Sequence, residues 1–200
     1  MIAGEEGFAS LAFRTAGSHR GAAMPPAPMT PEQLFAHFDA LGVVHRTYSH
    51  PPVFTVAEAA ALRGNLPGGH CKSLFLKDKK GEFWLAVMLE ERSIDLKKLA
   101  ARLGAPRFSF GGAADLYKVL GVRPGSVTPF ALLNDVERLV TPVLDSAMLQ
   151  RDPLNYHPLE NDRTTAISPA DLLRLIDASG HLPRIVELSD LDREPATSEG

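Results

Sequence analysis

The chain has 200 residues, a formal charge of −3 at pH 7, 44% hydrophobic residues and 22% charged residues. This composition predicts one compact domain with short extensions and excludes a disordered chain, while the negative charge argues against nucleic-acid binding by net electrostatic attraction alone. No apolar run approaches the roughly 18 residues of a membrane span, and the single cysteine, Cys71, excludes a disulfide framework and a paired-cysteine metal site.

The amino-terminal part of the chain predicts an extension followed by a well-capped helix. Residues 1–28 end in a stretch rich in Gly, Ala, Met and Pro and contain no clear targeting sequence, so we expect a dispensable extension of a cytoplasmic protein. Thr30 then provides a helix cap, Pro31 the first helical position and Gln33 the second half of a capping box. Gly42 ends this helix.

The rest of the chain alternates between strand and helix patterns. Strands are predicted over residues 44–49, 71–77, 82–89, 138–144, 163–167 and 183–188, and helices over 56–63, 93–103, 112–120 and 168–180. Because the elements interleave but residues 78–81 predict a hairpin turn, the fold class is mixed α/β: a mixed sheet with flanking helices. We expect the domain to span residues 29–188 and an acidic tail to span 189–200.

Lys72 is the first candidate functional residue. Four of the seven lysines lie between residues 71 and 80, and Lys79 and Lys80 fit a solvated turn. Alternation instead places Lys72 on the strand face of Leu74 and Leu76, at a strand end beside a Gly-rich loop. Its ammonium is a candidate point charge for a phosphate or a developing oxyanion, and a purely structural lysine is the alternative.

Two loops hold further candidates. Residues 125–129 form a Gly/Pro-bounded loop whose amides could approach a ligand, although an ordinary connection fits the same pattern. His157 lies in a polar loop before a strand, where a surface histidine is the alternative. The sequence has no metal-ligand spacing, nucleophile elbow, phosphate loop or dinucleotide fingerprint, so we expect neither a metal nor a cofactor.

Four segments together resemble one family. They are HPPVFTVAEA at 50–59, CKSLFLKDKK at 71–80, GVRPGSVTPF at 121–130, and NYHPLEN at 155–161 followed by the pair Thr164 and Thr165. In this order and spacing they resemble the YbaK/ProX family of aminoacyl-tRNA editing domains. The resemblance covers roughly residues 29–188 and is strongest to free-standing deacylases that clear alanine mischarged on proline tRNA.

The resemblance implies a mixed sheet or barrel around a central pocket, and hydrolysis of the ester between an amino acid and the terminal ribose of tRNA. It matches the family's key lysine to Lys72, its loop glycine to Gly125 and its late histidine to His157, which we expect to be catalytic. The position after the lysine is commonly Asn or Thr in the family and is Ser73 here. The expected substrate-binding residues are Val53, Phe54, Thr55, Ser73, Ser126, Val127, Thr128, Pro129 and Asn161.

An aminoacyl ester is already activated, so water can attack it without a protein nucleophile. The resemblance implies a substrate-assisted route in which the free ribose hydroxyl orients that water. The expected partners are the acceptor end of a proline-type tRNA and, transiently, prolyl-tRNA synthetase or an elongation factor, with no membrane. The alternatives are a deacylase for cysteine, serine or threonine, and a non-catalytic module that binds aminoacyl-tRNA or a synthetase.

Overall fold

A computed structural model of the chain describes residues 27–51 and 66–193. The helix predicted over 56–63, the extension up to residue 26 and the expected ligand-binding residues Val53, Phe54 and Thr55 lie outside these ranges. No helix in the described ranges is long and apolar enough to cross a membrane.

The described residues form eight strands, four α-helices and three short 3-10 helices. The strands are β1 (His45–Ser49), β2 (Gly69–Asp78), β3 (Phe83–Leu89), β4 (Phe108–Phe110), β5 (Val140–Asp145), β6 (Leu154–Tyr156), β7 (Arg163–Ile167) and β8 (Arg184–Val186). The α-helices are α1 (Pro31–Leu41), α2 (Leu96–Leu103), α3 (Ala113–Leu120) and α4 (Pro169–Ala178). The 3-10 helices are Pro129–Asn134, Met148–Gln150 and Ser189–Leu191.

The capping box predicted for α1 is confirmed. The Gln33 amide donates to the Thr30 hydroxyl oxygen at 3.3 Å, and the Thr30 amide donates to the Gln33 side-chain oxygen at 2.8 Å. Gly42 closes the helix with a φ of +66°, a left-handed conformation in which a Cβ atom is unfavourable. These interactions are local in sequence, which is why the residue pattern alone identified them.

The strands form one mixed sheet in the order β1-β7-β6-β2-β3-β5-β8, with β4 also paired to β2. The predicted hairpin is present, because β2 and β3 pair antiparallel from Cys71 opposite Leu89 to Lys77 opposite Phe83. The pairs β2–β6, β3–β5 and β5–β8 are parallel. The predicted fold class, a mixed sheet with flanking helices, is therefore confirmed.

Each face of the sheet covers a separate hydrophobic core. Helices α1, α3 and α4 supply the larger core, in which Phe75 of β2 is buried. Helix α2 covers the second core, in which the next residue of β2, Leu76, is buried. Successive side chains of β2 therefore point to opposite cores, as a strand requires.

Three local predictions differ from the structure. The helix predicted over 93–103 begins later, after Asp95, whose carboxylate caps α2 by accepting from the amides of Lys97 at 2.7 Å and Lys98 at 3.2 Å. Strand β4 was not predicted. The segment 155–161 was predicted to be a loop, but its first two residues belong to β6.

The described chain remains packed beyond the domain boundary predicted at residue 188. Leu188 and Leu191 are buried in the second core. The Asp95 amide donates to the Leu191 carbonyl oxygen at 2.9 Å, so this segment also lies against the start of α2. The carboxyl-terminal segment up to residue 193 therefore covers the end of β3 and α2.

Candidate functional site

Among the described residues, strand β2 has a gap in its pairing along one edge. At its start it pairs with β6 through Gly69 and His70, and at its end it pairs with β4 through residues 76–78. The Gly69 amide donates to Pro153, and the Phe75 carbonyl accepts from Gly111, so the odd-numbered residues point their backbone groups to this edge. Alternation therefore directs the amide and carbonyl of Ser73 into the gap between β6 and β4.

Ser73 also has an unsatisfied side chain. Its hydroxyl oxygen is buried and has no hydrogen-bond partner in the part of the chain that the structure describes. A buried polar atom without a partner costs free energy and is rare in folded proteins, so it marks a place where a ligand or water could bind. The Ser73 hydroxyl and the backbone groups directed into the gap therefore lie at one point of the strand.

Cys71 lies beside this gap and faces the core. Its thiol interacts with the hydroxyl of Tyr156, the last residue of β6. Burial raises the pKa of the Cys71 thiol to about 12, against the smaller opposing effect of that hydrogen bond. The adjacent Lys72 therefore does not make Cys71 reactive, and we interpret Cys71 as a structural residue.

His157 follows β6 directly and lies near a second histidine. Its Nδ1 is 2.9 Å from the carbonyl oxygen of Arg163, so in the neutral ring Nδ1 carries the proton and Nε2 is the acceptor. The ring centroids of His157 and His50 are 6.0 Å apart. The Nε2 atom of His50 is 2.9 Å from the hydroxyl oxygen of the buried Thr164. The strand ends thus bring two imidazoles and a threonine together.

Lys72 is half-buried and is held by the backbone after β3. Its Nζ donates to the carbonyl oxygen of Glu90 at 2.9 Å and to that of Arg92. Desolvation lowers the pKa of Lys72, and the nearby carboxylates of Glu90, Asp192 and Glu91 oppose that effect. An ammonium group has three donors, and two of those of Lys72 bond to carbonyl oxygens of the described residues.

A pocket of about 280 Å³ lies next to this lysine anchor. It is lined by residues 68–70 at the start of β2, residues 89–91 at the end of β3, and Arg151. Glu90 therefore lines the pocket and also provides one of the carbonyl oxygens that hold Lys72. In the described ranges, no cluster of three or more His, Cys, Asp or Glu residues could hold a metal ion.

The loop at residues 125–129 begins with a tight turn and ends in a helix cap. Gly125 has a φ of +92° in the turn closed by the Ser126 amide and the Arg123 carbonyl, which favours glycine. Thr128 is fully buried and its hydroxyl accepts from the Phe130 amide at 3.4 Å, while Pro129 opens a 3-10 helix. The side chains of this loop therefore face the protein.

The expected site residues fall into separate groups. Lys72 and Ser73 lie on β2, and His157 and Asn161 lie between β6 and β7. Extending the parallel register of His70 with Asn155 by two residues places Lys72 level with His157. The loop at 125–129 is linked to this region through the core, and Val127 packs against that core. The catalytic and substrate-binding roles expected of these residues stay predictions.

Sequence reasoning missed three residues at this site, and only two of them had a weak signal. His50 and Thr164 occur in the segments that carry the family resemblance, but neither had an assigned role. Arg92 had no signal at all, because its partners are more than 50 residues away along the chain.

The model of the aminoacyl-tRNA editing domain family matches residues 50–175. The chain belongs to this family. The match includes Lys72, the loop at 125–129 and His157, so the region of the pairing gap lies within the family domain.

The chain is also similar to individual proteins. Prolyl-tRNA synthetase associated domain-containing protein 1 of Danio rerio is 39% identical over 168 residues, which cover 83% of this chain and 91% of that relative. The prolyl-tRNA editing protein ProX of Acetoanaerobium sticklandii is 32% identical over 158 residues, which cover 78% of this chain and 96% of that relative. The multifunctional Ser/Thr-tRNA deacylase ProXp-y of Escherichia coli K12 is 24% identical over 155 residues, which cover 76% of this chain and 91% of that relative.

A solved structure described as a candidate trans-editing enzyme for prolyl-tRNA synthetase superposes on this chain with a TM-score of 0.63. It is 19% identical and the match covers 82% of this chain and 97% of the other. This similarity shows a common fold.

Proposed function

We propose that the protein hydrolyses the ester that joins a wrong amino acid to the terminal ribose of tRNA, with alanine on proline tRNA as its main substrate. The observation that carries this proposal is the pairing gap of β2 among the described residues, where the Ser73 hydroxyl has no partner on the strand that also holds Lys72, within a family whose domain is named for aminoacyl-tRNA editing. The similarity to a prolyl-tRNA editing protein favours proline tRNA. Charged tRNA as substrate implies action in the cytoplasm.

The chemistry requires a held water and a stabilised oxyanion. The water oxygen bonds to the ester carbonyl carbon, the bond from that carbon to the ribose oxygen breaks, and the ribose oxygen takes a proton. Donors already fixed in place stabilise the developing negative charge most effectively. We assign this role to the Ser73 amide and hydroxyl and to the amides of the loop that begins at Gly125.

His157 and Lys72 have different roles in this proposal. The hydrogen bond from His157 Nδ1 to the Arg163 carbonyl fixes the orientation of the imidazole ring, and we assign His157 the role of shaping the pocket around the ester. The third donor of the Lys72 ammonium anchors the acceptor end of the tRNA through a phosphate or ribose oxygen. The free ribose hydroxyl orients the attacking water.

The need for such an enzyme follows from the limits of binding. A synthetase pocket for proline rejects a smaller amino acid weakly, because each missing methylene is worth only about 1–3 kcal/mol. A second pocket that is too small for proline removes the error. We assign the amino-acid side of that pocket to Val53, Phe54, Thr55 and Asn161, together with Val127.

The test compares the lifetimes of alanyl-, cysteinyl-, seryl-, threonyl- and prolyl-tRNA, all on proline tRNA, with and without the protein. We expect alanyl-tRNA to be cleared and prolyl-tRNA to survive. Lys72→Ala should slow deacylation strongly, while Lys118→Ala, which removes an exposed lysine from α3, should not. Survival of alanyl-tRNA as in buffer would reject the alanine assignment.

A second candidate is clearance of serine or threonine, which the similarity to the Ser/Thr-tRNA deacylase favours. Faster hydrolysis of seryl- or threonyl-tRNA than of alanyl-tRNA would establish it. If every aminoacyl-tRNA is bound but none is hydrolysed, the protein is a binding module.

A further inference from the structure

The backbone that holds Lys72 belongs to a short loop after β3. The Lys72 ammonium donates to the carbonyl oxygens of Glu90 and Arg92, so the position of its nitrogen depends on the conformation of residues 90–92. The Arg92 amide donates to the Leu89 carbonyl at 3.2 Å, which turns the chain at the end of the strand. What fixes this loop therefore also fixes the lysine.

The side chain of Arg92 connects this loop to two other parts of the protein. Its side chain is only 12% exposed, and its Nε donates to Asp145 Oδ2 at 2.8 Å. The Asp145 side chain is fully buried at the end of β5, and its other oxygen accepts from the Ala147 amide at 3.2 Å. Buried and charge-assisted hydrogen bonds of this kind are stronger and more directional than exposed ion pairs.

The second tie of Arg92 leads to the carboxyl-terminal segment. Its NH1 donates to Asp192 Oδ2 at 3.0 Å, and the other oxygen of Asp192 accepts from the Ser93 amide at 3.0 Å. The backbone of Asp192 also pairs with that of Ile94 in an isolated antiparallel β-bridge, and Leu191 is buried in the second core. The loop after β3 is thus held from β5 on one side and from residues 191–192 on the other.

We propose that Arg92 is a positioning residue for Lys72: its guanidinium, held between Asp145 and Asp192, fixes the two carbonyls that orient the lysine ammonium toward the substrate. This inference rests on the proposed function, because the orientation of Lys72 matters only if Lys72 contacts the substrate. It makes Asp145 and Asp192 part of the site's support. A purely structural ion cluster would stabilise the fold without affecting the lysine.

Two readouts distinguish positioning from simple stabilisation. The first is the ¹⁵N-detected signal of the Lys72 ammonium in the full-length labelled protein, assigned by its loss in Lys72→Ala. The second is the separation of kcat from KM in deacylation of alanyl-tRNA. Arg92→Ala should shift or remove the Lys72 signal and lower kcat/KM by up to about 100-fold, with the loss divided between kcat and KM as it is in Lys72→Ala, since small displacements of a group that positions the substrate have effects of this size.

The matched control is Arg102→Ala, which breaks an ion pair to the same carboxyl-terminal segment. Arg102 contacts Asp190 and the Glu187 carbonyl but not the loop at 90–92. We expect its Lys72 signal and its kcat/KM to match the wild type. Arg92→Lys keeps the charge but lacks the planar fork that bonds two carboxylates, so it should restore the signal and kcat/KM only in part.

Asp192→Asn is the second variant in case Arg92→Ala does not fold. It weakens one tie of Arg92 and should move the Lys72 signal in the same direction by less. An unchanged Lys72 signal in folded Arg92→Ala or Asp192→Asn overturns the inference, as does an equal change in Arg102→Ala. If the wild type hydrolyses no aminoacyl-tRNA, the proposed function fails, and the ammonium signal still decides whether Arg92 positions Lys72.

Discussion

The rings of Phe130 and Tyr156 pack edge to face, with their centroids 5.4 Å apart and their planes at 71°. Phe130 directly follows the loop at 125–129, and Tyr156 directly precedes His157. Two segments that the sequence singled out for function, separated by about 25 residues along the chain, are therefore joined through one buried aromatic pair.

Replacing Phe130 with alanine should destabilise the protein strongly. Phe130 is fully buried and also packs against Phe38 with centroids 5.1 Å apart, so truncation leaves a cavity in the larger core. We expect a loss of about 3–5 kcal/mol in the free energy of unfolding, measured by urea denaturation. Phe110→Ala is the control, because Phe110 is 64% exposed and should cost within about 0.5 kcal/mol. Equal costs would contradict the packing described here.

Ser73→Ala should separate activity from stability. The Ser73 hydroxyl oxygen is buried without a partner, so removing it should leave the melting temperature unchanged or raise it slightly. If the hydroxyl binds substrate, the same variant should deacylate more slowly. Thermal unfolding and a deacylation assay on one preparation check both parts. A fall in melting temperature would mean that the hydroxyl has a partner in the folded protein.

Cys71 should be unreactive in the native protein at pH 8. Burial raises the pKa of its thiol to about 12, so the thiolate fraction is very small across the neutral range. Because this is the chain's one cysteine, a chromogenic disulfide reagent reports on it alone. We expect slow labelling that becomes fast in urea, and a rise in the native rate as the pH approaches 12. Rapid native labelling at pH 8 would refute the buried thiol.

Gly68→Ala should disturb the contact between β2 and β6. Gly68 has a φ of +95°, and a Cβ atom there would overlap the carbonyl oxygen of Pro153. Gly81 has a similar φ of +89° but nothing within 4 Å, so Gly81→Ala isolates the backbone strain of about 1–2 kcal/mol. The clash should add about 1–3 kcal/mol for Gly68→Ala in chemical denaturation. Equal losses in the two variants would show that Pro153 moves away freely.

The parts of the fold that were predicted correctly depend on neighbouring residues in the sequence. The capping box of α1 involves positions three residues apart, and the hairpin of β2 and β3 follows from two strand patterns and a short turn. Strands β4 and β6 have three residues each, too few to form a pattern, and they exist because β2 and β7 provide partners. Such strands depend on contacts that are distant in sequence.

At the candidate site, too, features that depend on neighbouring residues were predictable, and contacts that are distant in sequence were not. Alternation placed Lys72 on the correct face of β2, with Leu74 and Leu76. It could not predict that the ammonium reaches the carbonyls of Glu90 and Arg92, because those lie 18 and 20 residues away on a turn whose shape depends on Asp145 and Asp192. The family resemblance supplied the roles of His157 and Gly125, which their local patterns alone left open.

The parallel ladder between β2 and β6 consists of two residue pairs, Gly69 with Leu154 and His70 with Asn155. This short ladder is the hydrogen-bonded connection between the β1-β7-β6 part of the sheet and the part that contains β3, β5 and β8. The ladder ends three residues before Ser73 on β2, so the gap begins directly after it. If the gap receives the aminoacyl ester as proposed, a substitution at the ladder should change which amino acid is hydrolysed without replacing a residue that touches the substrate.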